Sequence, residues 1–563
     1  MCFYAHTSAT LGGHTSSQVR LEHVLEYGEQ ARRREDHGSG YCFMDSPGND
    51  LESIAGQVAS GCNIVCFTTG NGAITNHPFV PTVKVLTTTQ RYNLLSDDMD
   101  INAGSYVDGT QSMDQLGEST FEYIAAVASG TSSCGERAGH HQVQIWRDWL
   151  RVAGDEDDTA ERRVGSDVPS DPGPTINNTY TDENHPDAQR SGVALALASD
   201  SHALPTPLQG TPLLMFPKAW NNADTFATSR VGMICPTSLC SSQVSVMLAE
   251  RLKNDLWPAG SEAERSLSSI VALPHTEGCG RSSGVSEDMY IRTILGYASH
   301  PMVACAVMLE HGCEKTHNDK MAGELTNMGE DKSKWGYVSI QLDGGIEKAY
   351  VKIKAHFEQF LKAPSVPRVP APLSSLRVGL VATLEVPDAV STVFGDVAAA
   401  IARAGGTVVT AGTVGGSSFL YKLLADGADG QNDTLGYGQR AKTQGLHRMH
   451  SITQNMTELL TGIGGTGVEV IIAYVGDRCV EAHPMLPVLQ VATARADGVA
   501  DEGVDLVLPA SECGSEAEQT AHRDQLLAQI VLIANRSTTA GPKLFGSEFV
   551  NFQMTRGSTA VSL

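Results

Sequence analysis

The sequence lacks the long apolar runs that membrane-spanning helices need. No window approaches about 18 uncharged apolar residues, and the amino terminus has no basic segment followed by an apolar one. We therefore expect neither a membrane protein nor a secreted one. The Walker loop, the Gly-x-Ser-x-Gly elbow and the Gly-rich dinucleotide fingerprint are also missing. ATP, serine-hydrolase and nicotinamide chemistry consequently have no support.

Positive charge is scarce. The 40 Lys and Arg residues face 64 Asp and Glu residues, which leaves a formal net charge of −24. Such a surface repels nucleic acid and anionic membranes, so we expect neither as a partner. The 12 cysteines are scattered singly, mostly in apolar runs such as those around Cys66, Cys235 and Cys305. This pattern is typical of buried thiols and of the reducing cytoplasm, not of a disulfide framework.

What the sequence does contain is enough apolar material for several cores, since 41% of its 563 residues are hydrophobic. Strand-like apolar runs alternate with amphipathic segments, which predicts an α/β protein with mostly parallel sheets. Two shifts in composition divide the chain, and no short internal repeat is evident in the sequence, although the domains can share a fold. We predict three α/β domains, at 1–153, 206–362 and 375–563, separated by an acidic, Pro-rich linker at 154–205 and a Pro-rich connector at 363–374.

Apolar runs and capping residues locate individual elements within these domains. Ser286 is expected to cap a helix that begins near Glu287. The predicted strands are 63–67, 81–86, 231–235, 270–274, 302–309, 377–384, 407–411 and 468–475, and the other predicted helices are 113–129, 242–253 and 388–404.

Two loops that follow predicted strands collect His and Cys side chains. His275 and Cys279 lie four residues apart after one strand, and His311 and Cys313 lie two apart after another. Imidazole and thiolate suit Fe(II) or Zn(II), so these four residues are candidate metal ligands, and the nearby carboxylates would suit Mn(II) or Mg(II). The alternative is that the histidines cap loop backbones while the cysteines pack.

A glycine-bearing loop, Thr68 to Gly72, follows the first predicted strand. Its amides and hydroxyls could hold a carboxylate or phosphate, although a simple turn explains it equally well. Lys84 in the next strand and Arg91 soon after it add two positive charges. In an acidic protein this combination predicts a carboxylate clamp.

Three carboxylates cluster within the segment Asp97 to Asn102. Neighbouring carboxylates either share a cation or shift one another's pKa, which is useful for proton transfer. A solvated acidic turn is the alternative.

These same residues resemble the altronate/galactarate dehydratase family. Residues 17–150 are similar to the carboxyl-terminal part of its catalytic region, and 230–345 are similar, less closely, to its other conserved block. The block that is usually last therefore comes first here, and nothing resembles the family's small amino-terminal domain. The matching segments are Met44–Glu52, Ser60–Asn63, Phe67–Gly70, Pro81–Lys84, Asp97–Gly104, Cys134–Glu136, Pro236–Cys240, His275–Gly280 and Gly312–Glu314.

The resemblance implies an enzyme that dehydrates a sugar acid to a 2-keto-3-deoxy acid with a divalent metal, Fe(II) or alternatively Mn(II). A cation would stabilise the enolate that forms beside the carboxylate. A sulfo-lyase acting on a sulfonated hydroxy acid and a non-catalytic sugar-acid-binding protein are the alternatives, and a homo-oligomer is left open. The implied roles are as follows: Lys84 and Arg91 bind the substrate carboxylate; Thr68, Thr69, Asn71 and Asn102 contact the substrate; and Asp98, Asp100 or His275 serves as general acid or base, with Lys84 as the alternative base.

Overall fold

The computed structural model confirms an α/β fold with mostly parallel sheets. No helix among the described residues is both long and apolar enough to cross a membrane. Cys279 and most of the predicted linker lie outside the described part of the chain. The structure describes residues 21–31, 41–146, 204–210, 212–217, 226–258, 260–261, 266–278, 285–382, 386–412, 434–451, 455–476, 483–493, 504–508 and 515–536.

The first unit, residues 21–146, is built on a three-stranded parallel sheet in the order β3-β4-β5. Helix α4 packs on one face of this sheet, where Val127 meets Val83 and Ile101. A separate parallel pair, β1 and β2, precedes it. The elements are β1 (Leu21–Leu25), β2 (Tyr41–Met44), α1 (Asp50–Ala59), β3 (Val65–Thr69), β4 (Thr82–Leu86), α2 (Thr89–Leu94), β5 (Ile101–Asn102), α3 (Gly104–Val107), α4 (Met113–Ala128) and α5 (Cys134–Arg137).

The second unit is a four-stranded parallel sheet in the order β11-β10-β8-β9. Strands β8 and β10 are buried along their whole length, as expected for central strands covered on both faces. Its elements are β8 (Val231–Pro236), α7 (Leu239–Leu256), β9 (Ser269–Ala272), α8 (Val285–Ala298), β10 (Val303–Glu310), α9 (Asn318–Asn327), β11 (Trp335–Ser339), α10 (Ile340–Asp343) and α11 (Ile346–Leu361).

The third unit has a seven-stranded parallel sheet in the order β15-β16-β14-β13-β17-β18-β19. Its two faces carry the two largest hydrophobic clusters of the protein, one of which is shared with α8 of the second unit. Its elements are β13 (Arg377–Ala382), α12 (Asp388–Arg403), β14 (Thr407–Gly412), β15 (Thr434–Leu435), β16 (Gly445–His450), α13 (Met456–Gly465), β17 (Val470–Gly476), β18 (Val488–Thr493), β19 (Leu506–Leu508) and α14 (Glu516–Ala534).

A small antiparallel sheet, β12-β6-β7, joins the second and third units. Its strands are β6 (Leu213–Pro217), β7 (Phe226–Ala227) and β12 (Val369–Ala371), and α6 (Thr206–Gly210) lies beside it. Part of the predicted connector is therefore a strand. Leu208, Leu213 and Met215 pack into a core cluster of the third unit, so the stretch 206–217 packs with that unit.

The predicted strands and helices are all present among the described residues, and their described ends differ from the predicted ones by at most three residues. One detail of the sequence prediction is wrong. Ser286 does not cap the helix near Glu287, because α8 already includes Val285. The helix therefore starts earlier than the capping residue suggested.

Candidate functional site

The site lies where the first unit meets the segments that follow β8, β10 and β11 of the second. Gln341 Nε2 donates to the Gly72 carbonyl at 2.6 Å, and the Ile346 N–H donates to Asp98 Oδ2 at 3.1 Å. Nearby, Gln142 Nε2 donates to the Leu239 carbonyl at 2.9 Å. Polar groups from the ends of parallel strands in two units are thus brought to one place.

Lys84 occupies the centre of this region. It lies on β4, is 0% exposed, and its Nζ has no hydrogen-bond partner. Burial lowers the pKa of Lys84 from its ordinary value, while the charges of Asp98 and Asp100 act against that shift. A buried amine with a lowered pKa gives up its proton more readily than an exposed lysine does, and the neutral amine can accept a proton from a substrate.

The two carboxylates beside Lys84 differ in their hydrogen bonds and in the effect of burial. Asp100 Oδ1 accepts from the Tyr123 hydroxyl at 2.6 Å and the Cys134 N–H at 2.8 Å, and its Oδ2 accepts from the Lys84 N–H at 2.8 Å. Asp100 is thereby a structural clasp between β4, β5 and α5. Asp98 is buried, and that burial raises its pKa, against the opposing charge of Lys84. Asp98 is therefore the carboxyl group better suited to carry a proton.

Histidines from both units lie within range of the Lys84 charge. His140 is 3% exposed, and neither ring nitrogen makes a hydrogen bond of normal geometry. Burial, with a contribution from Lys84, lowers the pKa of His140 to about 3, so the imidazole is neutral at physiological pH. His311 is 1% exposed, with an unpaired Nε2. Burial and the Lys84 charge act to lower the pKa of His311, but Cys313 and Glu314 outweigh them, so that this pKa is raised from its ordinary value.

Such unpaired buried groups are rare, because each one costs free energy in the folded state. Gln341 Oε1 is a further example beside the same loops, since a Cβ on Gly312 would lie 2.8 Å from it. Together they form a polar cluster whose partners are not supplied by the described protein groups.

The loop after β3 stands at the edge of this cluster. Thr68 and Asn71 are exposed, and Thr69 Oγ1 accepts from the Gly72 N–H at 3.1 Å. Arg91 Nη2 donates to the Asn71 carbonyl at 2.8 Å, so the predicted cationic residue does lie against the predicted loop. Asn102 instead serves the first unit internally, with bonds to Thr89 Oγ1 and the Gly104 N–H at 3.0 Å each.

One group of potential metal ligands occurs among the described residues. His311, Cys313 and Glu314 each offer a ligand atom, and these atoms lie within 4.8 Å of one another. Cys313 is exposed, whereas His311 and Glu314 are buried. Glu314 also accepts from the N–H groups of His311 and Gly312, which holds the loop in its shape.

His275 lies outside that group. Its Nε2 is 2.8 Å from the Pro236 carbonyl, and its Nδ1 accepts from the Glu277 N–H at 3.2 Å. The ring thus connects two loops of the second unit, which is the loop-capping alternative considered from the sequence. Its roles as ligand and as general base remain predictions, as does the ligand role of Cys279, which lies outside the described residues.

Sequence reasoning did not select His140, Gln341 or Glu314. A histidine in a polar loop, such as His140, gives no signal until its burial is known. Glu314 offered a weak signal, because it follows Cys313 directly in a loop already rich in potential ligands.

Comparison with known proteins matches two segments. Residues 10–151 match the family described as D-galactarate/altronate dehydratase, C-terminal, and residues 223–365 match D-galactarate dehydratase/altronate hydrolase, second domain. The two matches together span about half of the chain. The C-terminal domain precedes the second domain here, in agreement with the block order expected from the motifs.

Individual relatives match over short segments. The chain is 34% identical over 124 residues to altronate dehydratase of Bacillus subtilis, covering 22% of this chain and 24% of the relative. It is 34% identical over 115 residues to galactarate dehydratase (L-threo-forming) of Escherichia coli, covering 20% and 21%. The beta subunit of (2R)-sulfolactate sulfo-lyase from Chromohalobacter salexigens is 24% identical over 130 residues, covering 23% and 32%.

The chain thus spans between about a fifth and a third of the length of these relatives. Two matched domains of one family nevertheless meet at the polar cluster around Lys84. The chain belongs to the altronate/galactarate dehydratase family.

Proposed function

We propose that this protein is a hydro-lyase that removes water from a sugar acid of the galactarate or altronate class. The product would be a 2-keto-3-deoxy acid. The observation that carries the proposal is Lys84, a fully buried amine without a hydrogen-bond partner at the meeting point of the two family domains. The names of the relatives supply the substrate class.

The reaction needs a base, an acid and a way to hold the substrate carboxylate. The neutral Lys84 amine takes the proton from the carbon beside the carboxylate, and the electron pair left behind forms the carbon–carbon double bond of an enol. The neighbouring hydroxyl leaves as water after it receives a proton from Asp98. The enol then tautomerises to the 2-keto acid.

Other residues of the cluster orient the substrate. Neutral His140 can donate to or accept from a substrate hydroxyl, since both of its ring nitrogens lack partners of normal geometry. Arg91 and the exposed Thr68 and Asn71 lie at the mouth of the cluster, where a second carboxylate or further hydroxyls would be bound.

A divalent metal, Fe(II) or Mn(II), fits the residues present. The unpaired Nε2 of buried His311 is the observation that favours it, and Cys313 and Glu314 are the neighbouring ligands. When bound, such an ion would stabilise negative charge on the substrate oxygens. The soft thiolate favours Fe(II) over Mn(II).

The test is a dehydration assay on anaerobically purified full-length protein, with elemental analysis of the same sample. We expect 2-keto-3-deoxy product from galactarate or altronate and about one metal ion per chain. Cys313→Ser should reduce the metal content, whereas the matched variant Cys42→Ser in β2 should retain it.

Two results would contradict the proposal. Release of sulfite from sulfolactate, with no turnover of either sugar acid, would favour the sulfo-lyase suggested by the third relative. Binding of sugar acids without turnover in metal-loaded protein would favour a non-catalytic binding protein.

A further inference from the structure

The third unit contains a stretch that matches the first unit residue for residue. Residues 63–87 align with 469–493 without a gap, and six positions are identical. The identical pairs are Gly70 and Gly476, His77 and His483, Pro78 and Pro484, Pro81 and Pro487, Val85 and Val491, and Thr87 and Thr493. The similarity is weak in sequence, which is why no repeat was evident before the structure.

The structure shows that the two stretches share register and hydrogen bonds. In β3 and β4, Val65 pairs with Thr82, and in β17 and β18 the equivalent Ile471 pairs with Val488. The Val65 N–H donates to the Pro81 carbonyl at 2.9 Å, and the Ile471 N–H donates to the Pro487 carbonyl at 3.0 Å.

The aspartate clasp is repeated as well. The Lys84 N–H donates to Asp100 Oδ2 at 2.8 Å, and the equivalent Gln490 N–H donates to Asp505 Oδ2 at 2.8 Å. In return, the Asp100 N–H donates to the Lys84 carbonyl and the Asp505 N–H donates to the Gln490 carbonyl, each at 3.0 Å.

The helix that follows is also equivalent. Helix α4 begins with a capping box of Ser112 and Gln115, and α14 begins with one of Ser515 and Glu518. Each helix packs on the same face of its sheet, against Val83 in one case and against Leu489 in the other. The repeat therefore comprises 63–128, the first copy, and 469–534, the second copy.

The two copies differ in the residues that the proposed reaction uses. Gln490 replaces Lys84, Val507 replaces Asn102, and Tyr474 replaces Thr68. The positions that flank Lys84 on its sheet face, Thr82 and Leu86, correspond to Val488 and Ala492, and both of these join a core cluster with Ile294 and Ile463.

Unpaired polar atoms follow the same division. The first copy has five, on Thr75, His77, Thr82, Lys84 and Arg91, whereas none occurs within the described stretches of 469–534. The shared histidine shows the difference directly. His77 Nδ1 has no partner, while His483 accepts from the Met485 and Leu486 N–H groups and lies 2.9 Å from the Tyr297 hydroxyl.

We propose that the second copy is a diverged duplicate that has lost its site and acts as scaffold, so that catalysis uses the first copy alone. Buried unpaired groups are retained where a ligand completes them, and are removed where only stability is selected. This division rests on the proposed function. In its scaffold role the second copy adds three strands to the seven-stranded sheet, through the pairing of β17 with β13.

Reciprocal substitutions at equivalent positions test the division. Lys84→Gln gives the first copy the residue of the second and should lower kcat at least about 100-fold. Gln490→Ala should leave kcat within about twofold of the wild type, and Gln490→Lys added to Lys84→Gln should not restore it. Activity that survives Lys84→Gln, is lost in folded Gln490→Ala, or returns in the double variant would overturn the proposal.

A second measurement does not depend on the reaction. Asp505→Ala should lower the Tm of the full chain by a few degrees, because it removes the clasp on Gln490, and Asp100→Ala should lower it similarly. An unchanged Tm for Asp505→Ala would refute the scaffold role. If the wild type neither binds nor turns over sugar acids while both Tm shifts appear, the proposed function fails and the structural duplication stands.

Discussion

At the scale of single residues, the buried amine of Lys84 is unfavourable for folding. Its burial lowers its pKa from the ordinary value of 10.5. Between the folded-state pKa and 10.5 the unfolded chain binds more protons than the folded one, so the free energy of unfolding rises with pH across this window. The destabilisation is complete below the folded-state pKa and disappears above 10.5.

Lys84→Met should therefore stabilise the protein by about 1 kcal/mol or more while abolishing turnover, because a well-packed apolar side chain replaces a buried charge. The gain should be largest at low pH and should shrink as pH approaches 10.5. Urea unfolding at several pH values measures it, with exposed Lys362→Met as the control. Loss of stability in Lys84→Met at every pH would contradict this account of the site.

At the scale of elements, the start of α11 holds Asp98 in place. Gly345, directly before this helix, has a φ of +97°, and a Cβ there would lie 2.5 Å from Asp98 Oδ2. The Ile346 N–H, the first of the helix, donates to that same oxygen. The carboxylate also benefits from the positive end of the helix dipole.

Gly345→Ala should displace Asp98, lower kcat and destabilise the fold by more than the backbone strain alone, which is about 1–2 kcal/mol. Gly109→Ala is the matched control, because Gly109 also has a positive φ, +71°, but has open space around it. We expect the control to show the strain without the loss of kcat. Equal kcat in the two variants would show that the position of Asp98 is unimportant.

At the scale of the whole molecule, Glu469 connects the third unit to the segment between β7 and β8. Its side chain is fully buried, Oε1 is 2.9 Å from Arg377 Nη1, and Oε2 accepts from the Thr228 N–H. Removing one partner of a buried ion pair leaves the other charge uncompensated.

Glu469→Gln should lower the free energy of unfolding by about 3 kcal/mol without changing kcat, since the groups that it contacts, Arg377 and Thr228, do not belong to the Lys84 cluster. Thermal unfolding with a parallel assay measures both quantities. The exposed Glu250, 3.6 Å from Lys253, supplies the control Glu250→Gln, which should change stability by less than about 0.5 kcal/mol. A loss below about 1 kcal/mol in Glu469→Gln would show that the pair is effectively solvated.

Much of the fold and part of the site could be predicted from the sequence, because the relevant signals are local. Apolar runs predicted β8 and β10, and the residue types in the segment after β10 predicted His311 and Cys313 as metal ligands. The Lys84 strand and the Asp97 to Asn102 segment were likewise recognised from residue type and position. The family resemblance added the substrate class, which the comparisons support at the level of the family.

Tertiary structure alone decided which of these residues meet. Burial makes Lys84 and His140 unusual. The hydrogen bonds of Asp98 and Asp100 give these two carboxylates different roles, and the ring nitrogens of His275 lie against backbone groups. The duplication was not evident from the sequence, since few residues are identical between 63–87 and 469–493. The two stretches nevertheless share strand register and backbone hydrogen bonds. Local sequence determines where strands, helices and reactive side chains occur, but burial and long-range pairing arise only when distant segments pack together.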